Sequence, residues 1–251
     1  MTSHTLEVAT RSHVGRVRPH NEDAFVALAA RGVVVVADGM GGHKAGEVAS
    51  LLAAEVVANA LCDVQESDGA DDLDSLMQVG RAVELANEAI AARVRREPQL
   101  AGMGTTLVAA MFRHERIFYA HVGDSRLYRL RNGRMRQLTR DHSLVQQLID
   151  QGIFRSRAEA RDAGVGDNVL IRSLGVAGAL EVDIDDAPLQ PEDTYLFCTD
   201  GLCGKVSDRE IARLLRRSDA SLEDLADDLE RAALDAGGPD NITLVLARPR
   251  L

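Results

Sequence analysis

The sequence predicts an α+β fold built in layers, on three features. Short, β-branched apolar runs occur in groups near the start, the middle and the end of the chain, as buried strands do. Two long segments of helical character separate the first group from the second, and two further helices fall between the last strands. Strands and helices therefore do not alternate one by one, as a parallel sheet with crossover helices would require. No internal repeat or clear linker interrupts the 251 residues, so residues 1–251 are expected to form one domain.

Residues 5–10, 24–28 and 32–37 alternate or run apolar and read as the first strands. A glycine-rich loop over 39–42 leads into a helix over 45–61. Residues 63–74, rich in Asp, Glu, Gly and Ser, read as a solvated loop. Leu73, Leu76, Met77, Val83, Ala86, Ile90 and Val94 then recur near helical period, an amphipathic helix closed by Pro98. Strands follow at 107–111, 117–122 and 127–130, and Asn132-Gly133 is a hairpin turn into a strand over 135–138. Residues 143–152 and 156–163 read as short helices, with a glycine-rich, mobile stretch at 164–168. The last strands are expected at 194–199 and 242–247. Between them a capping box, Ser207-Asp208-Arg209-Glu210, opens the first of two helices.

The formal net charge of −10 disfavours nucleic acid as a partner, and 45% apolar with 27% charged residues is a soluble globular balance. No apolar run approaches the roughly 20 residues that span a bilayer. The first ten residues lack the basic-then-apolar pattern of a signal peptide, so a cytoplasmic protein without a membrane segment is expected. Cys62, Cys198 and Cys203 have no zinc or disulfide spacing and are expected to be reduced.

Four aspartates sit at the edges of apolar runs. The run 33–36 leads to Asp38-Gly39, 117–122 to Gly123-Asp124 and 195–198 to Asp200-Gly201, while Asp240-Asn241 opens the run 242–246. Carboxylates at the ends of several strands can converge from distant parts of the sequence. Two such charges about 4 Å apart repel by roughly 4 kcal/mol at an effective dielectric near 20, so a gathering of them calls for cations. Oxygen-only ligand sets suit Mg²⁺ or Mn²⁺. Taken singly, the motifs have plainer readings. Arg18-x-x-Asn21-Glu22-Asp23 reads as a turn satisfied by its own Asn and Asp, and Asp38 as the cap of a glycine loop.

Together they read otherwise. Arg18-x-x-Asn21-Glu22-Asp23, Asp38-Gly39-Met40-Gly41-Gly42-His43, Gly104-Thr105-Thr106, Val122-Gly123-Asp124-Ser125-Arg126, Leu138-Thr139-Arg140-Asp141-His142-Ser143, Thr199-Asp200-Gly201-Leu202 and Asp240-Asn241-Ile242-Thr243 occur in that order. The chain thereby resembles the type-2C metal-dependent Ser/Thr protein phosphatase (PPM) family in its compact bacterial form, from about residue 10 to 246. The resemblance implies a four-layer α-β-β-α sandwich, two antiparallel sheets flanked by helix pairs, with metal ions at one end. It implies that Asp38 bridges two ions, that Asp200 and Asp240 complete the first, and that Glu22 and the Gly39 carbonyl serve the second. Asp23 is implied to act through a water, Asp124 with Asp200 to hold a third, weaker ion, and Arg18 to grip the substrate phosphate.

The implied activity is hydrolysis of phosphoserine and phosphothreonine in proteins by a metal-activated water, without a phosphoenzyme. Two Mg²⁺ or Mn²⁺ ions are expected, with a third at weaker affinity. Two departures from the family pattern matter. Many eukaryotic members carry His directly after the Asp-Gly pair, where this chain has Met40, so His43 or a water on the metal becomes the expected proton donor. The segment 143–168 matches the family's mobile flap, but Ala163-Gly164-Val165-Gly166-Asp167 replaces a His-Pro-Arg-like stretch. Substrate selection and the third ion are the properties this touches. Implied partners are phosphorylated proteins and a cognate Ser/Thr kinase, with the chain itself a monomer.

Cys203 and Arg209 have Cys-x5-Arg spacing, but Asp208 would oppose a phosphate there and Ser207 reads as a cap. Ser125 lacks the Gly-x-Ser-x-Gly elbow of a serine hydrolase. A phosphatase of small phosphomonoesters would need the same acids, and a catalytically weak phosphoprotein-binding scaffold would be expected to have lost some of them.

Overall fold

Four consecutive valines, 33–36, are wholly buried because their strand faces a helix layer on one side and a second sheet on the other. The structure, a computed structural model, describes residues 5–41, 45–66, 71–166, 169–176 and 178–250. One sheet runs in the order β1 (Thr5–His13), β11 (Ile242–Arg250), β10 (Thr194–Cys198), β7 (Arg126–Arg131), β8 (Arg134–Gln137). The other runs β2 (Asp23–Leu28), β3 (Val33–Met40), β5 (Leu107–Arg113), β6 (Arg116–Val122), β9 (Asp183–Pro188), with β4 (Gly104–Thr105) added to β3. Every pairing is antiparallel.

Period two sorts the valines between two cores. Val33 and Val35 meet Ala53, Val57, Val83 and Ile90 of α1 (Ala45–Glu66) and α2 (Asp72–Arg96). Val34 and Val36 share the space between the sheets with Tyr195, Phe197 and Val245. On the far side, Leu196, Leu244 and Leu246 pack beneath α5 (Asp200–Cys203), α6 (Asp208–Leu215) and α7 (Leu222–Asp235). The layers are thus α-β-β-α, as the resemblance implied. Two short helices, α3 (Leu144–Asp150) and α4 (Arg157–Asp162), lie in the segment expected to be a flap, and the Leu144 and Ile171 N–H groups donate to the Val169 and His142 carbonyls.

Several elements differ from expectation. β9 was not anticipated, because Asp183, Asp185, Asp186 and Pro188 make its sequence read as loop. It is an edge strand, where charge and proline are compatible with pairing on one side. β3 does not stop at Asp38 but continues to Met40, held there by β4. The acidic stretch is largely helical: α1 runs to Glu66 and α2 starts at Asp72, with the Asp71 carboxylate accepting from the Asp74 N–H. Residues 67–70 lie outside the described residues, as do 167–168 of the glycine-rich stretch. The reciprocal capping box is at Ser221 and Asp224; at Ser207 only half of it forms, since the Glu210 carboxylate turns to Arg213.

One expectation about composition is also corrected. Residues Ala45–Val64 of α1 are long and apolar enough to cross a bilayer by those criteria alone. Half of that segment is buried in the protein, where small residues at 49, 53 and 54 let the helix sit close against β3. It is the core helix of this layer.

Candidate metal centre

Each acid of the set stands within two residues of a strand end. Val34 and Val36 point between the sheets, so strand period directs Asp38 there too, opposite its register partner Asp23. β10 ends two residues before Asp200, β11 begins two after Asp240, and Gly123-Asp124 follows β6. A cavity of about 400 Å³ results, lined by Arg18, Glu22, Asp38, Gly39, Asp124, Asp200 and Asp240. Of the expected site residues, Asp23 lies behind this wall: its Oδ2 accepts from the Thr199 hydroxyl at 2.9 Å, while its Oδ1 is shut off from solvent with no hydrogen-bond partner among the described residues. His43 lies outside the described residues.

The main chain around the acids is held by side chains of the same motifs. The Asp38 N–H donates to the Thr106 hydroxyl at 3.1 Å, and the Thr105 hydroxyl donates to the Asp38 carbonyl at 2.9 Å. Asn241 fixes the N-terminal turn, accepting from the Glu22 N–H at 2.8 Å and donating to the Val14 and His20 carbonyls, each at 2.9 Å. Gly46, in the first turn of α1, lets the Glu22 carboxylate and the Gly39 main chain close on one another; a Cβ there would lie 2.9 Å from both. These positioning roles were not read from the sequence, although Thr105, Thr106 and Asn241 stood inside the quoted motifs. His20 and Leu170, which also line the cavity, were missed altogether.

Gly201 allows a close approach of the same kind. A Cβ on it would overlap the Asn241 carbonyl. Gly201→Ala should therefore push α5 and Asp200 away from β11 and cost about 3 kcal/mol of stability. Thermal unfolding checks this, and a variant that melts with the wild type would show that the two segments separate freely.

Burial and mutual repulsion set the electrostatics. Burial first, then Asp23, Asp200, Asp124 and Asp240, hold the Asp38 carboxyl well above the ordinary carboxylate range. Burial pushes Asp23 up to about 7, against the hydrogen bonds it accepts from Thr243 and Thr199, and pushes Asp124 to about 7 with help from Asp200. Asp200 is raised by burial and by Asp240, and Glu22 by burial. Arg18, at the mouth, donates to Asp240 Oδ2 at 2.8 Å. The donor set is entirely oxygen and short of positive charge, which fits hard divalent cations.

A second cluster, His121, His142 and Asp183, brings one ligand atom from each within 4.8 Å. Its hydrogen bonds make it a clamp. The Gly123 N–H donates to His142 Nδ1 at 3.2 Å, leaving the imidazole proton on Nε2, towards Asp183 at 3.4 Å. Arg172 already places a cation there, 2.9 Å from Asp183 Oδ1. Burial, then His121, lowers His142 to about 4, so the ring stays neutral. With the His142 N–H donating to the Gly123 carbonyl at 2.9 Å, the imidazole and its own main chain grip the peptide that carries Asp124.

The Cys203 thiol is pushed up by its hydrogen bond with Cys198 and by burial, the reverse of what a nucleophilic cysteine needs. That removes the Cys203–Arg209 alternative.

Residues 11–236 match the family model described as Protein phosphatase 2C. The chain is 40% identical over 244 residues to the serine/threonine phosphatase stp of Listeria innocua, covering 96% of this chain and 95% of the relative. The crystal structure of the Mycobacterium tuberculosis serine/threonine phosphatase PstP/Ppp superposes with a TM-score of 0.86 at 40% identity, covering 97% of this chain and 98% of that one. A structure of the PstP catalytic domain in complex with two manganese ions gives a TM-score of 0.84 at 39% identity, covering 98% and 99%.

Proposed function

The chain belongs to the protein phosphatase 2C family, and on that premise we propose that its acid-lined cavity hydrolyses phosphoserine and phosphothreonine in proteins with Mg²⁺ or Mn²⁺. The observation that carries this reading is the convergence of Glu22, Asp38, Asp124, Asp200 and Asp240 on one cavity with Arg18 at its mouth. Asp38, Asp200 and Asp240 would hold one ion, Asp38, Glu22 and the Gly39 carbonyl the other, and Asp124 with Asp200 a third. The orphaned Asp23 Oδ1 and the mutually raised carboxyls favour such ions. When bound, divalent ions activate water as a nucleophile and polarise phosphoryl oxygens.

The protein's own groups do the rest. Thr105 and Thr106 keep the Asp38 main chain in place, and Gly123 and His142 orient Asp124. Arg18, braced by Asp240, offers a planar, permanently charged fork to the phosphate, which a lysine would not reproduce. The described part of 143–168, with its two short helices, would serve as a flap over this cavity in a single catalytic domain. All the acids are present, which disfavours a binding-only scaffold. The partners in this reading are phosphoproteins in the cytoplasm and the kinase that modifies them, met by a monomeric phosphatase.

The leaving alkoxide needs a proton, and His20 and His43 are the histidines to test. Replacing the true donor by Ala should lower kcat about 10²-fold or more and abolish the alkaline limb of the pH profile, because a general acid fails once it deprotonates. If both His20→Ala and His43→Ala keep that limb, neither is the donor.

The reading as a whole is tested by hydrolysis of a phosphothreonine peptide with Mn²⁺, Mg²⁺ or EDTA, beside Asp200→Asn. Metal-dependent turnover, lost in EDTA and in the variant, is expected. Turnover of small phosphomonoesters but of no phosphopeptide would instead make it a small-molecule phosphatase.

A further inference from the structure

We propose that an apolar groove opening off the metal centre is a subsite for one apolar side chain of the substrate protein, carried within two residues of the phosphorylated one. This inference rests on the phosphatase reading and adds a specificity to it. The groove, of about 470 Å³, lies between Met40 at the end of β3 and the segment 169–181 that leads from α4 to β9. Met40 and Leu170 line both the groove and the acid-lined cavity, so the two adjoin along those side chains. Met40 also stands two residues after Asp38 on one strand, which sends both side chains to the same side, about 7 Å apart.

The two spaces differ in kind. The first is walled by Glu22, Asp38, Asp124, Asp200, Asp240 and Arg18. Beyond Met40 and Leu170 the groove presents Val169, Ile171, Val176 and Leu180. Val169, Ile171 and Val176 are 45%, 44% and 58% exposed, three of the nine large apolar side chains at the surface among the described residues. Scattered singly, such side chains carry no message; three in one groove beside a catalytic cavity mark a contact surface. The charged residues of the groove are matched: Arg172 pairs with Glu181 at 2.5 Å and with Asp183 at 2.9 Å. An anion thus meets no unpaired cation there among the described residues.

The groove is fixed relative to the metal ligands before any substrate arrives. Buried Leu174 exchanges both main-chain hydrogen bonds with Thr105, at 3.1 and 2.9 Å, and the Thr105 hydroxyl holds the Asp38 carbonyl. The Gly175 N–H donates to Asn87 Oδ1 of α2 at 2.8 Å. Gly104, the register partner of Met40, forms the floor: a Cβ there would lie 3.5 Å from both Met40 Cγ and Val176 Cγ2. A surface held in this way loses little freedom on binding, so apolar burial appears as affinity. Continuity with the cavity that takes the phosphate assigns the occupant to the chain that carries the phosphate. An extended segment with its phosphate among the acids brings its neighbouring side chains to Met40 and Leu170.

The test is kcat/KM with Mn²⁺ on phosphothreonine peptides, with Leu, Ala, Asp or Lys placed in turn at each position from two before to two after the phosphothreonine. At one position the wild type should prefer Leu to Ala by about tenfold, and high salt should not weaken the preference. The ratio should fall towards one in Ile171→Ser/Val176→Ser. It should keep its wild-type value in Met77→Ser, at an exposed residue about 15 Å along α2 from Asn87. Val176→Glu should move the preference at that position from Leu to Lys, which a merely misfolded variant would not do. A Leu preference that survives the double variant would place its source elsewhere and overturn the groove as the subsite. Equal kcat/KM on the Leu and Ala peptides at every position would overturn it too, and leave the phosphatase reading intact. Sedimentation of that wild type as a dimer dissociated by Val176→Glu would then make the groove a contact between copies of this chain. No hydrolysis of any peptide would remove the phosphoprotein reading on which the subsite rests.

Discussion

Asp38→Asn is expected to lower kcat/KM on a phosphothreonine peptide by at least about 10³-fold, while making the metal-free protein more stable. The two effects have one cause. Burial raises the Asp38 carboxyl first, and Asp23 behind the cavity wall with Asp124, Asp200 and Asp240 around the cavity add their repulsion. An amide of the same shape has no charge to bury or to neutralise with a proton on folding, for a gain of about 2 kcal/mol, or roughly 5 °C in melting temperature for a chain of this size. It also removes the carboxylate proposed to join two ions. Melting in EDTA and kinetics in Mn²⁺ measure both effects on one preparation. A variant less stable than the wild type in EDTA would mean that Asp38 has a structural partner the electrostatic account omits.

Metal-free wild-type protein should lose stability as the pH rises from about 4 through 7, and saturating Mn²⁺ should reverse the trend. Asp23 and Asp124 have folded-state values of about 7, above the ordinary value of 3.8, and Asp38 is raised too. Between those limits the folded state holds more protons than the unfolded chain, so its advantage is complete at low pH and fades as these carboxyls ionise. The loss should be roughly a few kcal/mol. Metal ions compete with the same protons, so binding strengthens across the same window. At an ion concentration 100 times Kd the added stability is about 2.7 kcal/mol. Unfolding midpoints between pH 4.5 and 8, with EDTA and with Mn²⁺, give both slopes. Parallel slopes would show that the acids do not bind the ion.

Much of the fold was legible because its strands are short apolar runs whose neighbours change character abruptly. Val33 to Val36 could be read as buried on both faces from composition alone, and Asn132-Gly133 marked the β7–β8 hairpin. β9 was hidden because an edge strand tolerates Asp183, Asp185, Asp186 and Pro188, so its sequence carries no apolar signal. β4, two residues long, and α5, four residues long, are too short for any periodicity to show. The acids were legible as a set through the order of their motifs. The groups that hold them, Thr105, Thr106, Asn241 and His142, looked like ordinary turn and cap residues until their partners were known.

By itself, the sequence determined the layer pattern, the acids available for hard cations and the family they mark, because strand alternation and motif order are properties of neighbouring residues. Only the tertiary structure decided which carboxylates share a cavity and that Asp23 stands behind it. It also set Met40 and Leu170 between that cavity and an apolar groove, and turned His121 and His142 into a clamp beside Asp124. Those outcomes depend on the register of antiparallel strands and on how two sheets stack. Register is settled by burial summed over whole strands, so no local stretch of sequence carries it.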